Sequence, residues 1–351
     1  MVGLLVGVLV VQGLGVERAP QTDAWLTLVE AGADANIAGD FRAAETLFKA
    51  CAAVAQRVDP KGGRVVISNT LLAFTYLDMG DNKKAGRYKD FYLDPAGLDR
   101  AMLPVANALS RLADRYEQRA KEKDSSGLMI EAALLLRFEE RLQARFLGDL
   151  DPELGDTRGY LGYVLEMAGM LPQAIESYRD AVKIGDHEAE LHRRLKGGGH
   201  QAHPSSNSQM ASGVLNGLDL ETLKWRLAWS LIQIGVKHEK DGKQKEAQAA
   251  FEEASKIGRE LAKLYGEEWP GHPYAAGRSE LLARALSHLP QHHAEAALQY
   301  RRSLQTLEHQ EGSSGPNVRS VAKYLIELLR NDKKEDEAKE LEKKYDASAS
   351  R

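Results

Sequence analysis

RFLGDLDPELGDTRGYLGYVLEMAGMLPQAIESYRDAVKI, residues 145–184, carries the element on which the fold turns: Gly169, Ala174 five residues later, and Tyr178 four further on. The spacing has a physical reason. Glycine takes a positive φ at little cost, so it ends a first helix and lets the chain reverse. Alanine in the first turn of the next helix lets the two helices approach closely. An aromatic side chain four residues on lies on the same face and fills the space beyond. Pro172 suits this placement, because proline is tolerated in the first turn of a helix.

Outward from this stretch the element recurs as Gly39-Ala44-Phe48, Gly127-Ala132-Leu136 and Gly242-Ala247-Phe251. Gly80-Ala85 continues it with Tyr88 one place early, and Ala296-Tyr300 and Ala338 continue it without the glycine. The alanines at 44, 85, 132, 174, 247, 296 and 338 are separated by steps of 41, 47, 42, 73, 49 and 42. The long step contains residues 196–217, KGGGHQAHPSSNSQMASGVLNG, a Gly-, Ser- and Asn-rich run without periodicity that reads as a flexible linker or long loop. A repeat near 42 residues is therefore built into the chain. From residue 23 onward apolar spacing is helical and no period-two strand run stands out. The expected fold is all-α: an α-solenoid of about seven tandem helix-turn-helix repeats.

These small and large positions resemble the anchors of the tetratricopeptide repeat over residues 23–346, apart from the one insertion. The ordinary repeat is about 34 residues. The 42-residue step and the loops LGDLDPELGDT (147–157), YGEEWPGHPYA (265–275) and EGSSGPNV (311–318) resemble the longer, kinesin-light-chain-like variety. The resemblance implies a right-handed superhelix whose concave surface, lined by the first helix of each pair, receives a peptide or a partner helix. It also implies an asparagine two positions before the small residue of each first helix. Here those positions read Glu30, Leu71, Gln118, Tyr160, Gln233, Leu282 and Tyr324. No asparagine ladder is present, so an amphipathic partner suits the groove at least as well as an extended peptide. Tyr160, Tyr163, Trp229, Gln233 and Tyr324 are the candidate partner-binding residues, with packing between adjacent repeats as the alternative for each tyrosine.

The expected organisation is an apolar signal-like or anchor segment over 1–20, an N-terminal block of about four repeats over 23–192, the linker at 196–217, a C-terminal block of about three repeats over 218–346, and a disordered tail at 347–351. Stacking of the two blocks depends on Ile184 and Leu191 before the gap and on Leu218, Leu220 and Leu223 after it. Residues 2–11, VGLLVGVLVV, have no polar side chain, and Gln12 alone interrupts the run before Glu17. That length suits a secretory signal, although no Lys or Arg precedes it. Export or membrane association through residues 2–16 is expected, with a cytoplasmic chain and a buried cap helix as the alternative. The mixed-sign terminal helix, DKKEDEAKELEKKY, reads as a solvated cap.

Chemistry-bearing signatures are lacking. Lys plus Arg is 47 and Asp plus Glu is 51, a net charge of −4 that offers no general attraction to nucleic acid. The single cysteine, Cys51, leaves no intrachain disulfide or cysteine-based zinc cluster and reads as a buried thiol. His187, His192, His200 and His203 near the linker, and His288, His292 and His293, lack ligand spacing. Glu139-Glu140 and Glu267-Glu268 are adjacent on helices and do not face one another. No nucleophile elbow, phosphate loop or dinucleotide fingerprint occurs. Trp225 and Trp229 share a helix face and are expected to be buried between repeats, and Trp269 to pack under its loop.

The expected function is a non-catalytic protein-interaction scaffold without cofactor, metal or nucleic acid. The alternative is a regulatory sensor that changes conformation on binding a peptide, with the linker as hinge. The register is testable: Ala174→Glu forces bulk and an unpaired charge into a close helix contact and should cost about 2–4 kcal/mol. Thermal unfolding measures it, and an unchanged Tm means that the register is wrong.

Overall fold

Gly39, Gly80, Gly169 and Gly242 take φ values of 81°, 75°, 76° and 75°. After each, the chain closes the preceding helix in the same way. The amide of the following residue donates back across the turn: Asp40 to the Ala35 carbonyl at 2.9 Å, Asp81 to Tyr76, Met170 to Leu165 and Lys243 to His238, each at 2.8 Å. Carbonyls left open at the helix end are thereby satisfied, and the chain reverses.

These turns join helices in a computed structural model that describes residues 24–58, 60–88, 100–195, 219–268 and 272–346. The chain forms two compact units, Met1–Leu98 and Asp99–Arg351. The first holds α1 (Ala24–Ile37), α2 (Phe41–Val58), α3 (Gly63–Asp78) and the short α4 (Asn82–Ala85). The second holds a 3-10 turn (Arg100–Val105), α5 (Ala106–Lys123), α6 (Ser126–Phe146), α7 (Pro152–Met167), α8 (Leu171–Leu195), α9 (Leu220–Lys240), α10 (Gln244–Lys263), α11 (Ala275–Ser287), α12 (His293–Glu311), α13 (Pro316–Asn331) and α14 (Glu335–Asp346). No strand occurs among the described residues. Within each unit, each helix packs on its sequence neighbours, first within a hairpin and then onto the next. Each unit is an all-α stack of tetratricopeptide-like helix pairs, α1/α2 and α3/α4 in the first and α5/α6 to α13/α14 in the second.

Small residues set the helix spacing. Ala44, Ala85, Ala132, Ala174, Ala247, Ala296 and Ala338 are all buried to within 1 % of completely. The first helices carry a reciprocal device. A Cβ built on Gly32 would lie 2.5 Å from the Phe48 ring, on Gly162 2.7 Å from Tyr178, and on Gly235 2.7 Å from Phe251. Those rings are at most 1 % exposed. Each ring therefore rests on bare backbone, and its burial contributes about 1.5–3 kcal/mol.

In the second unit the packing passes directly from α8 to α9, on either side of residues 196–218. Leu220 packs on Gly185 and Leu223 on Gly159, where added Cβ atoms would each meet a leucine methyl at 2.8 Å. Ile184 is buried against Gly155, and Leu191 is exposed. The linker at 196–217, with His200, His203 and the adjoining Leu218, lies outside the described residues, as do Trp269 and the tail at 347–351.

Two expectations need correction. Gly127 does not make the turn before α6; it lies in the first turn of that helix, and Asp124 takes the left-handed conformation at φ 48°. Aspartate tolerates this better than most residues because its short side chain bonds locally. Export or membrane anchoring is also corrected: no helix among the described residues is long and apolar enough to cross a membrane, and residues 1–20 lie outside them.

The turn before α14 has the same backbone as the glycine turns, with Lys333 at φ 60° and Lys334 donating to the Leu329 carbonyl at 2.8 Å. A left-handed lysine costs about 1–2 kcal/mol that glycine avoids. Lys333→Gly should therefore raise stability by about 1 kcal/mol, net of the greater backbone entropy of glycine when unfolded. Urea denaturation checks the sign; a destabilised variant refutes it.

Candidate functional site

The first helices of the second unit bring aromatic rings and cations together along one run of contacts. It begins on α5, where Lys121 pairs with Glu117 and lies 5.4 Å from the centroid of the Tyr163 ring of α7. The Tyr163 hydroxyl donates to Glu117 at 3.1 Å. From α9, Arg226 approaches the same ring at 4.5 Å and donates to Glu166 at 3.1 Å. Glu166 also accepts from the Tyr178 hydroxyl at 2.8 Å, tying α7, α8 and α9 to one carboxylate. Burial and the adjacent Glu166 push the Tyr178 hydroxyl far above its ordinary range, so it remains a donor.

Trp225 and Trp229 continue the run on α9. They are four residues apart and stack with centroids 6.0 Å apart and planes 3° from parallel. Arg284 of α11 lies 5.2 Å from the Trp229 ring and 3.9 Å from Tyr324 of α13. It pairs with Glu280 at 2.7 Å. Tyr324 in turn stacks on the buried Tyr300 at 6.4 Å. Arg278 of α11 lies 5.7 Å from Trp225, 5.4 Å from Tyr265 and 5.6 Å from Tyr274.

Arg278 differs from the other cations of this face. It is 8 % exposed, its Nε has no hydrogen-bond partner, and no described carboxylate pairs with it. Lys121, Arg226 and Arg284 each have both a ring and a carboxylate. Rings favour a guanidinium by about 0.5–2 kcal/mol each, depending on desolvation, but they do not neutralise it. The Tyr265 hydroxyl hydrogen-bonds to Arg278 and donates to Glu221 of α9, so Arg278 meets a carboxylate only through a tyrosine.

The five candidate binding residues fall differently from one another. Tyr160 is 6 % exposed, its hydroxyl is buried without a partner, and its charged neighbours Glu117, Asp114 and Glu139 lie on α5 and α6, so it packs between adjacent pairs. Tyr163, Trp229, Gln233 and Tyr324 are half-buried on α7, α9 and α13. Trp225 is likewise half-buried, against the expectation of full burial for the tryptophan pair. The structure adds Arg226, Arg278 and Arg284, which the sequence reading passed over. Their available signal was a cation flanked by small and apolar residues, as in AAGRSELLARALS of α11.

The histidines have local roles. His288 stacks on Phe251 at 4.1 Å and pairs with Glu239 at 3.0 Å, whereas His293 meets Asp332 at 2.5 Å. Among the described residues no three His, Cys, Asp or Glu side chains are grouped to hold a metal ion.

No protein-family model matches the chain, and no curated protein matches it. Similar solved structures include kinesin light chain nearly identical TPR-like repeats from Podosopora anserina, 18% identical over 74% of this chain and 98% of that one, with a TM-score of 0.43. BtubC (BKLC) from P. vanneervenii is 15% identical over 81% of this chain and 91% of that one, with a TM-score of 0.38.

Arg284 and Tyr324 should be energetically coupled across α11 and α13. A double-mutant cycle with Arg284→Met and Tyr324→Leu should give a coupling of about 0.5–2 kcal/mol in chemical denaturation. Strict additivity would remove the cation–ring contact from the forces joining these pairs.

Proposed function

We propose that this chain is a non-catalytic scaffold that binds a segment of another protein, a peptide or a helix, along the first-helix face of its second unit. The supporting observation is the run of half-buried Tyr163, Trp225, Trp229 and Tyr324 interleaved with Arg226, Arg278 and Arg284. Trp, Tyr and Arg are the residue types that dominate binding energy when a partner desolvates them. The amide of Gln233, beside the tryptophans on α9, is available to a partner backbone. Arg278 supplies polarity: the ligand segment carries an Asp or Glu side chain that reaches its guanidinium, next to apolar residues that cover the indoles. The alternative, a sensor hinged at residues 196–217, rests on residues outside those described and gains no support from this face.

A library of random twelve-residue peptides displayed on phage, selected on the full chain, tests the reading. Selected peptides should be enriched in an acidic residue flanked by large apolar ones. Arg278→Met and Trp229→Ala should each weaken the best synthetic peptide at least about tenfold, a loss of about 1.4 kcal/mol, when binding is measured well below the Tm of each variant. No enrichment over a bare support, or wild-type affinity in both variants, overturns the reading.

A further inference from the structure

Helices α5, α6 and α7 enclose a polar seam that partner binding does not use. Glu139 of α6 is 5 % exposed. One of its oxygens accepts from Thr157 of α7 at 3.1 Å and from Gln143 at 3.2 Å, and Ser110 of α5 hydrogen-bonds to the carboxyl group. The other oxygen and the Gln143 carbonyl oxygen are buried without a donor, and the Tyr160 hydroxyl, itself a donor, reaches neither. A seam with too few donors for its acceptors gains one when a carboxyl group takes up a proton.

The charges around the seam favour the same state. No described cation pairs with Glu139. On α5, Lys121 is engaged by Glu117, and Asp114 is itself held above the usual carboxylate range by burial and by Glu117. On α7, Glu153 adds repulsion, while Arg158 pairs with Glu140 at 3.0 Å and Asp180 at 3.7 Å. On α6 itself Arg137 pairs with Glu140 at 3.7 Å. The 3-10 turn packed on α6 brings only Arg100, which is exposed. Ionised, Glu139 would be a desolvated charge among neutral donors and acidic neighbours.

We propose that Glu139 is a proton-operated latch: its neutral acid holds α5, α6 and α7 together, and its ionisation loosens the seam and the part of α7 that carries Tyr163 and Glu166. The mechanical connection is short. Thr157, Tyr160 and Tyr163 recur every third residue on α7; the first bonds Glu139, and the other two stack at 6.3 Å. This device operates whether or not a partner is bound.

Burial raises the Glu139 acid from an ordinary 4.5 to about 7. Because the folded value is the higher one, the stability it contributes is fully present below pH 4.5 and is lost as pH rises through 7. Between pH 6 and pH 8 the opening equilibrium of the seam should rise about tenfold.

Amide hydrogen exchange of the full chain at pH 6 and pH 8, corrected for intrinsic exchange, reads this directly. Wild-type α6 and α7 should lose about tenfold protection, and Glu139→Gln should abolish the change. Asp156→Asn should retain it, although burial, Glu188 and Glu153 also hold Asp156 high, at about 6. An equal response in wild type and Glu139→Gln overturns the inference. A carboxyl-carbon NMR titration of wild-type Glu139 decides independently of how the variant folds: a midpoint near 7 supports the latch, and one near 4.5 overturns it.

Discussion

The contact on which the helix pairs depend is an aromatic ring seated on the backbone of a glycine. Phe48 on Gly32, Tyr178 on Gly162 and Phe251 on Gly235 leave no room for even a methyl group. Close packing makes this contact steep in distance: a side chain at the glycine must push the ring or the helix away, and the ring's burial is lost with it. The buried alanine in each second helix permits the same approach from the other side. Neither device works alone, because a small residue without a ring leaves a void and a ring without a small residue holds the helices apart.

That approach decides what the remaining side chains can do. With Gly32, Gly162 and Gly235 committed to their own hairpins, the residues on the rest of α1, α7 and α9 are free to reach the next pair. Tyr163, Trp225, Trp229 and Tyr324 meet cations from neighbouring helices because the helices that bear them are held at a fixed spacing. Second helices are linked differently, by Arg179 with Glu253, Arg259 with Glu295 and Arg301 with Glu337, at 2.6–2.8 Å. Those pairs lie in water, where each is worth about 0–1 kcal/mol. The contacts between first helices, partly removed from water, contribute more to register.

The helix pairs were legible in the sequence because they rest on local chemistry repeated at an even step. Ala44, Ala174 and Ala247 announce themselves by their distance from a glycine and from an aromatic residue. The same logic failed where another residue can adopt the glycine conformation: Asp124 displaced Gly127, and Lys333 stood where no glycine was available. The reciprocal glycines in the first helices escaped notice because a glycine inside a helix looks like a weakness until the ring above it is placed. The binding face was read in part. Tyr163, Trp229, Gln233 and Tyr324 follow from their position in a first helix, but whether Tyr160 or Tyr163 faces outward depends on helix rotation within the stack. Arg278 was invisible for a related reason. Its three rings come from α9, from the segment after α10 and from the start of α11, and no spacing within one helix brings them together.

Under the proposed function, the unequal state of the arginines would let one face combine strength with selectivity. Arg226 and Arg284 have a ring and a carboxylate each, so an incoming acid must compete with Glu166 or Glu280 and gains little. Arg278 has rings but no carboxylate, so an acid placed there replaces no existing ion pair. An acidic residue is therefore favoured at one point along the face and close to neutral elsewhere. The stacked indoles beside it require apolar cover at a fixed distance from that point. In that proposal specificity would arise from the spacing between one charge and one apolar side chain, which the packing of α9 against α11 holds constant.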